Sequence, residues 1–368
     1  MKNIILIGLT LVIISCNEVK VNYISDVIEL DMNLSKEITF EEWVTNIECF
    51  HLEETGTYFN SKIIECDSFF YVLFQNNFCV SVYKKTGEHV RTIKNNIPGM
   101  MPNDIFINEN EKQLWIIEQF DHINKYSLNG DFIEQQKLPF KTAMMTAVGT
   151  GHYLFFDGGF DNNTPFFLRI VTDDFTTISE FVTKHNTFNL MPNYTFTDNS
   201  EEIFIHITKN DTIYVCNKKN FNITPKWHLN FSGNFLTYRD EPEGGFSDVK
   251  YEEIINENKK YRDIQGFHYS NNLVFMKLIG KDFSFRAIDI SNNYIYHFNT
   301  LIDNINITPQ GNTTEGLLVV MTTQDFITHY SKPNNSIKYE SIKKMFSKLY
   351  KHDNGLIVIK INLKENLP

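Results

Sequence analysis

A pattern that occurs twice between Tyr71 and Ile133 constrains the fold more than any other feature of this chain. In each copy a run of four apolar residues precedes an aliphatic residue, a tyrosine, a turn that contains glycine and a β-branched residue. The matched positions are Phe74 and Ile117, Val80 and Ile123, Tyr83 and Tyr126, Gly87 and Gly130, and Val90 and Ile133, each pair 43 residues apart. A period of roughly 40–45 residues with several strands per unit is typical of β-propeller blades.

The repeated apolar runs favour strands that are covered on both faces. Tyr71–Phe74 and Leu114–Ile117 are apolar at four successive positions, whereas a half-exposed strand alternates. These runs are too short and too rich in aromatic and β-branched residues for helices. Because each sheet of a propeller lies between two neighbours, every unit is predicted to contain an inner apolar strand, a third strand that ends at the tyrosine, a tight turn and an outer strand.

Two glycines mark the tight turns. Thr86-Gly87 and Asn129-Gly130 fit two-residue hairpin loops, and Asn-Gly is favoured in type I′ turns because both central residues need positive φ. We expect both glycines to have positive φ, between the third and outer strands of adjacent blades.

The composition fits one large all-β domain. The chain has 368 residues and is 14% aromatic, with 32 Phe and 17 Tyr, which suits packed sheets. A formal charge of −11 without any Lys/Arg cluster argues against a nucleic-acid partner. Six blades fit better than seven or eight, since about 340 mature residues, less two helical insertions, leave roughly one repeat period for each. We therefore predict an all-β, six-bladed β-propeller over residues 25–368 with two short helical insertions.

Two segments are predicted to form the helices. Residues 247–260 fit a polar helix that follows an irregular stretch. Residues 336–350 carry Ile342, Met345, Phe346 and Leu349 at i, i+3, i+4 and i+7, so one apolar stripe is expected to lie on the propeller. We expect this second helix near the place where the ring of blades closes.

The ring is predicted to close with strands from both ends of the chain. Val27–Leu30 and Ile47–Leu52 precede the first full repeat, and Leu356–Ile359 is the last apolar run. Open strand edges invite aggregation. We therefore expect the early strands to complete the blade that contains the last one.

The N-terminus has the pattern of a processing signal. Lys2 is followed by an almost purely apolar stretch, residues 4–14, which is too short for a typical membrane span. The sequence Ile-Ile-Ser-Cys that ends at Cys16 resembles a bacterial lipobox, in which the cysteine is lipidated; an ordinary secretory signal is the alternative. We interpret residues 1–15 as a lipoprotein signal peptide and residues 16–24 as a lipidated tether, with acyl chains on Cys16 as the membrane anchor.

The other four cysteines show no recognisable framework. Cys49, Cys66, Cys79 and Cys216 lack CxxC or other disulfide spacing. An exported chain can form disulfides, but buried free thiols are the favoured interpretation.

With these features the whole mature chain resembles the six-bladed β-propeller lipoproteins of Bacteroidetes, a large family distantly similar to NHL-repeat proteins. The matching landmarks are the lipobox, Phe50–Thr55, the two Tyr-x-x-x-Gly segments at 83–87 and 126–130, Leu138–Phe140, and the late helix before a final apolar strand. A Gly-rich link that the family often has between the first two repeats is reduced here to Ile97–Pro102. The resemblance implies a lipid-anchored protein of the cell envelope, at the outer membrane, and it implies no single activity.

No motif for catalysis or metal binding is recognisable. The eleven His residues form no HExxH and no closely spaced Cys/His set, and a Walker loop and a nucleophile elbow are both absent from the sequence. His206 and His228 fall on predicted strands and are interpreted as structural. Asp157–Asn163 offers oxygen ligands, but it lacks the alternation and terminal Glu of an EF-hand, so an ordinary loop is favoured over a calcium site. We therefore assign no catalytic residue, no metal ligand and no cofactor.

One acidic loop leaves two interpretations open. Residues 241–245 are most simply a solvated loop. Their neighbours Phe235, Leu236, Tyr238 and Phe246 could instead present an apolar rim to a partner.

Three functions are compatible with this pattern. The favoured one is a non-catalytic binding or scaffold lipoprotein, which uses one end of the propeller or its central channel for an unknown protein or glycan ligand. The first alternative is a propeller enzyme, a lyase or lactonase-like hydrolase with its site at the central channel, so whether the protein is an enzyme stays open. The second alternative is a structural component of an envelope complex. An apolar channel mouth would favour the binder, whereas a bound metal with open coordination would favour the enzyme.

Overall fold

The computed structural model describes most of the chain from residue 27 onward. The described ranges are residues 27–53, 62–74, 77–94, 102–184, 194–237, 240, 261–280, 284–313, 315–333, 337–349 and 354–364. The predicted signal peptide and tether, most of the link at 97–102, the loop at 241–245 and the helix at 247–260 lie outside these ranges.

Strands dominate the described chain. An N-terminal arm contributes β1 (Ile28–Asp31), β2 (Lys36–Glu37), a 3-10 helix (Phe40–Trp43) and β3 (Val44–Glu53). Blade 1 contains β4 (Lys62–Glu65), β5 (Phe69–Phe74), β6 (Cys79–Lys84) and β7 (His89–Lys94). Blade 2 contains β8 (Pro102–Asn108), β9 (Gln113–Glu118), β10 (His122–Ser127) and β11 (Phe132–Lys137). Blade 3 contains β12 (Met144–Gly149), β13 (His152–Phe156), β14 (Phe166–Thr172) and β15 (Thr177–Thr183).

The last three blades also contain the two helices. Blade 4 contains β16 (Phe196–Asp198), β17 (Glu202–His206), β18 (Thr212–Asn217) and β19 (Ile223–Asn230). Blade 5 contains β20 (Asp263–Ser270), β21 (Leu273–Ile279), β22 (Ser284–Asp289) and β23 (Tyr294–Phe298). Blade 6 contains β24 (Gly311–Asn312), β25 (Gly316–Thr322), α1 (Thr323–Tyr330), α2 (Glu340–Lys348) and β26 (Gly355–Leu363). A second 3-10 helix, Ile302–Asn304, precedes β24.

Each of the six sheets is one blade. In the first three blades the strands follow chain order from the inside outward, and in the last three a strand of the N-terminal arm is added at the outer edge. The first strands are innermost because they contact one another around the axis: β4 contacts β8 and β24, and β20 contacts β16 and β24. The described chain is therefore an all-β, six-bladed propeller around a central channel, as the sequence predicts.

The apolar runs that were predicted as inner strands occupy the second position of their sheets instead. Tyr71–Phe74 lies in β5 and Leu114–Ile117 in β9, each between a first and a third strand. A second strand has neighbouring blades on both faces and no edge on the channel, so it can be apolar throughout. The first strand faces the channel and can carry polar side chains.

Gly87 and Gly130 lie in the turns between the third and outer strands, as predicted, but these are three-residue loops and not two-residue type I′ turns, because only the glycine of each Thr-Gly or Asn-Gly pair has positive φ. Gly87 lies between β6 and β7 with a φ of 95°, and Gly130 lies between β10 and β11 with a φ of 85°. The amide of Gly87 donates to the carbonyl of Lys84 at 2.9 Å, and the amide of Gly130 donates to that of Ser127 at 2.8 Å. The positive-φ prediction is confirmed at both positions.

The sixth blade closes the ring with strands from both ends of the chain, and we refer to it as the closing blade. Its order is β24-β25-β26-β3, and β3 pairs with β26 from Glu53 opposite Gly355 to Val44 opposite Leu363. The prediction that an early strand completes the blade of the last strand is confirmed for β3.

The earliest strand was assigned to the wrong blade. Instead of joining the closing blade, β1 pairs in parallel with β19, and β2 pairs in parallel with β23. The arm crosses the outer edges of blades 4 and 5 before it reaches the closing blade. Leu30 and Met32 are buried against these two blades, and this burial fixes the path.

The two helices lie between β25 and β26. Helix α2 falls inside the predicted segment 336–350; Ile342 is fully buried, and Met345, Phe346 and Leu349 pack on the core cluster that includes β26 and the 3-10 helix of the arm. Helix α1 was not predicted; the Thr322 hydroxyl caps it by accepting from the Asp325 amide at 2.9 Å. Neither helix of the described chain has the length and apolarity that a bilayer crossing requires.

Candidate functional site

A cavity of about 1060 Å³ opens at one end of the central channel. Its walls come from the first strands of blades 1, 2, 3, 4 and 6 and from the turns that lead into the second strands. We refer to this cavity, lined by parts of β4, β8, β12, β16 and β24, as the channel mouth. Such a volume is at the upper end of the range typical of ligand sites, about 300–1,000 Å³.

An ion pair forms the floor of the channel mouth: Lys62 lines the cavity, and its partner Asp104 is buried behind it. The Lys62 ammonium lies 2.5 Å from one Asp104 oxygen and donates to the Ile105 carbonyl at 3.0 Å. The other Asp104 oxygen accepts from the Met145 amide at 3.1 Å, so this carboxylate links three blades. Burial raises the pKa of the Asp104 carboxyl, and the Lys62 ammonium opposes that shift. The pair holds three blades together, and its two charges neutralise each other.

A second polar group links blades 4, 5 and 6 beneath the mouth. The buried His268 ring contacts the Pro309 carbonyl through Nε2 at 3.0 Å and the Asn312 side chain through Nδ1 at 3.1 Å. Burial lowers the pKa of His268 to about 4. The Tyr194 ring lies 4.8 Å from the His268 ring, and its hydroxyl donates to the Gln310 carbonyl. Both ring nitrogens of His268 are used within the protein, so this histidine is not available as a base for a bound molecule.

The lysines around the channel mouth are largely neutralised by carboxylates. Glu65, which is almost entirely buried, lies 2.7 Å from Lys85 and 3.0 Å from Lys360. Lys218 lies 2.9 Å from Asp198 on blade 4. Together with Lys62, four of the five lysines that line the mouth are ion-paired. The inner wall of the mouth therefore offers little unpaired charge to a ligand.

Half-buried phenyl rings complete the wall. Phe69, Phe106 and Phe196 line the mouth from blades 1, 2 and 4, and none of them is fully buried. Phe106 is held edge-on by Trp115 and Tyr153, with ring centroids 6.2 and 6.4 Å away. The wall thus combines fixed apolar surfaces with paired charges.

Sequence reasoning did not find these residues because no local motif connects them. Lys62 and Asp104 are 42 residues apart and meet only when blades 1 and 2 stack. One signal was available: an oppositely charged residue precedes each repeated apolar run by nine or ten residues, Lys62 before Tyr71 and Asp104 before Leu114.

The two histidines that were interpreted as structural are both embedded in blade 4. His206 is fully buried, and its Nε2 lies 3.3 Å from the Asn210 carbonyl; burial lowers its pKa to about 4. His228 lies between two carboxylates, with Nδ1 2.6 Å from Glu29 of β1 and Nε2 3.3 Å from Asp211. Burial opposes the charged form of His228, but Glu29 and Asp211 outweigh it and raise the pKa.

The raised pKa of His228 predicts that the free energy with which β1 is held on blade 4 depends on pH. Because its folded pKa is raised, the stabilisation is full below the unfolded value near ~6.5 and is lost as the pH rises through the folded pKa. We expect His228→Gln to reduce the free energy of unfolding at about pH 5.5 more than at about pH 8.5, by less than ~1 kcal/mol because the ring is half-exposed. Urea titrations at both values measure this; Glu29→Gln should weaken the pH dependence, and a pH-independent effect of His228→Gln would contradict the assignment.

The loop Asp157–Asn163, which offers oxygen ligands, is built around an ammonium and a guanidinium group. Lys184 Nζ lies 2.8 Å from an Asp157 oxygen and donates to the Asp161 carbonyl at 2.6 Å. Arg169 lies 3.2 Å from the Asp161 carboxylate. Within the described ranges no group of three or more His, Cys, Asp or Glu side chains could hold a metal ion.

Two further expectations concern buried side chains. Phe235 and Leu236 are buried in the core of blades 4 and 5, so they form no apolar rim for a partner; Tyr238 and Phe246 lie outside the described residues.

Cys49, Cys66, Cys79 and Cys216 are free thiols, of which Cys79 and Cys216 are buried. Burial raises the pKa of Cys49 and Cys216 to about 12.

Comparison with known proteins identifies the family. A model of the family DUF5128, described as 6-bladed beta-propeller, matches residues 17–310. The chain belongs to this family. A search of curated proteins found no match.

One solved structure matches this family member over nearly its whole length, and two others are less similar. A candidate exported protein of Bacteroides fragilis NCTC 9343 is 14% identical, with a TM-score of 0.69, and the match covers 92% of this chain and 99% of that one. A DUF4221 family member from Bacteroides vulgatus is 9% identical, with a TM-score of 0.47 over 87% of this chain and 97% of that one. Streptogramin B lyase is 12% identical, with a TM-score of 0.47 over 87% of this chain and 98% of that one. The family match and the Bacteroides fragilis structure place the chain in a Bacteroidetes-type six-bladed propeller family and assign it no activity.

Proposed function

We propose that the protein is a lipid-anchored propeller of the cell envelope that binds a ligand at the channel mouth without transforming it. The observation that carries this proposal is the channel mouth itself, a cavity of about 1060 Å³ whose charged floor is committed to internal ion pairs. General acid–base catalysis needs a titratable group within hydrogen-bond reach of the substrate. Asp104 and His268 are both buried and bonded to other protein groups. Binding is therefore favoured over a lyase or hydrolase activity.

The envelope location rests on the N-terminal sequence. The positive and apolar leader ends in the lipobox at Cys16, and the similar Bacteroides fragilis protein is a candidate exported protein. Cys16 precedes Val27 by 11 residues, a span of at most about 40 Å at ~3.3–3.6 Å per residue. We therefore place the outer edge of blade 4 within about that distance of the outer membrane.

Replacing the anchor should release the protein. Cys16→Ser removes the acylated side chain, and we expect the protein to move from the membrane fraction to the soluble fraction, because the acyl chains on this residue are the proposed anchor. Cys66→Ser is the matched control, since it removes a thiol inside the propeller and should leave the protein with the membranes. Retention of the Cys16→Ser variant in membranes would place the anchor elsewhere.

Cys66 also reports on occupancy of the channel mouth. This half-exposed thiol lines the mouth, whereas the half-exposed Cys49 lies on β3 in the closing blade. We expect small molecules from an envelope extract to slow alkylation of Cys66 and to leave unchanged the much slower alkylation of Cys49, whose pKa burial raises to about 12, as measured by mass spectrometry of tryptic peptides. Equal rates with and without the extract would count against binding at the mouth. Chemical conversion of the protecting compound would instead support the enzyme alternative.

A further inference from the structure

The arrangement of charges determines which ligands suit the channel mouth. Lys62, Lys85, Lys218 and Lys360 are each within 3.0 Å of a carboxylate. Lys112, Asp67 and Glu109 also line the mouth, but all three are exposed at its rim. An anionic ligand would have to compete with Glu65 and Asp198 for the paired lysines, so the inner wall favours a neutral ligand.

The same ion pairs also supply hydrogen-bond donors and acceptors to the wall. The Lys62 ammonium has three N–H groups and uses two of them, on Asp104 and Ile105. The half-exposed Asp198 carboxylate, beside Lys218, has lone pairs beyond those that face the lysine. A hydroxyl group both donates and accepts, so a pair of neighbouring hydroxyls fits this pattern better than a group that only accepts.

The phenyl rings supply the other half of the pattern. Phe69, Phe106 and Phe196 lie on three different blades around one cavity, and each has part of its ring exposed. The face of an aromatic ring is negative and attracts the weakly positive C–H groups of a ligand. A pyranose ring has C–H groups on its faces and hydroxyls on its edge, so it matches a wall of phenyl rings and paired charges.

We infer that the channel mouth binds a neutral oligosaccharide, an inference that rests on the proposed binding function of the same site. The cavity is large for a single sugar and accommodates a short chain. A peptide held by strand addition would need a continuous open strand edge. Here β4 contacts β8 and β24 around the axis, and the Ile63 amide donates to the Gln310 carbonyl at 3.0 Å, so its edge is partly occupied.

The test is calorimetric titration of the detergent-solubilised full-length protein with four neutral hexasaccharides: those of maltose, cellulose, xylan and mannan type. We expect saturable binding of at least one, with Phe106→Ala raising Kd by ~10-fold or more, as for an anchoring aromatic residue. Phe132→Ala is the matched control, because Phe132 is an exposed phenyl on the outer strand of the same blade, and it should leave Kd unchanged. Raising the NaCl concentration from about 0.05 to about 0.5 M should change Kd less than ~2-fold, since the wall offers little unpaired charge to screen.

Two other probes separate this inference from the proposed function. Hexagalacturonate tests an anionic ligand, and an uncharged nine-residue peptide tests a protein ligand. If either probe binds, if Phe106→Ala weakens that binding, and if no neutral hexasaccharide binds, the carbohydrate inference is overturned. The mouth then remains a binding site. Absence of binding by all four neutral hexasaccharides overturns the inference. Failure of the binding function would appear separately, as unchanged alkylation of Cys66 in envelope extract.

Discussion

Deleting residues 355–368 should abolish the cooperative unfolding of the whole propeller. These residues contain β26, which lies between β25 and β3 in the closing blade. Five aliphatic side chains of β26, at positions 356–359 and 361, are fully buried. At about 1.5–3 kcal/mol each, their burial contributes roughly 8–15 kcal/mol, which is as large as the stability of a typical domain. The deletion also leaves β3 without its partner, so the arm loses its attachment to the last blade.

Differential scanning calorimetry and near-UV circular dichroism measure the effect of this truncation. We expect the sharp transition of the full-length chain to be replaced by a broad one, with loss of the aromatic signal. Deletion of residues 365–368 alone is the matched control, because it retains all of β26, and it should melt like the full-length chain. A single sharp transition for the longer deletion, near the wild-type temperature, would show that other strands close the ring.

Gly87→Ala should destabilise the protein more than Gly130→Ala, although the two glycines occupy equivalent turns. Both have positive φ, which costs a non-glycine residue about 1–3 kcal/mol. At Gly87 an added Cβ would lie 1.9 Å from the His51 carbonyl oxygen, a backbone atom of β3. At Gly130 it would meet only the side chains of Arg91 and Ile93, at 3.2 Å. Gly87→Ala therefore adds an overpacking cost of about 1–3 kcal/mol.

The comparison isolates the contact between the first blade and the closing blade. Besides the close approach to His51, the Gly87 carbonyl accepts from the Glu53 amide at 3.2 Å. Urea denaturation should give a lower free energy of unfolding for Gly87→Ala than for Gly130→Ala, by about 2 kcal/mol. Equal values would mean that β3 moves aside without cost, and that this contact does not contribute to closure.

Features that depend on local spacing could be predicted from the sequence. The apolar runs, the turn glycines and the stripe of α2 depend on residues that are near one another in the chain, so the blades and the helix followed from them. The continuous apolar runs were assigned to the strands that face the channel. They form β5 and β9, one strand further out, because the second strand of a blade is the one covered on both faces by neighbouring blades. Helix α1 follows β25 without a breaking residue, and only its cap at Thr322 marked the start.

Features that depend on stacking of distant blades could not be predicted. His228 and Glu29 are 199 residues apart, and nothing in the four residues of β1 specifies a parallel partner on blade 4. The floor of the channel mouth has the same origin, since Lys62 meets Asp104 and His268 meets Asn312 only across neighbouring blades. Opposite charges on two first strands indicate a pairing, but the sequence does not say which blades face each other.

The path of the N-terminal arm determines the order in which the chain can fold. Synthesis delivers β1, β2 and β3 before their partners β19, β23 and β26, which follow progressively later. The Asn362 amide that donates to Glu48 is 314 residues away from it. Contacts of such sequence separation slow folding, because a long loop must be ordered before the pairing stabilises it. These early strands are thus among the last to be fixed, and until β26 is made, β25 and β3 each have an unpaired edge that is prone to aggregation.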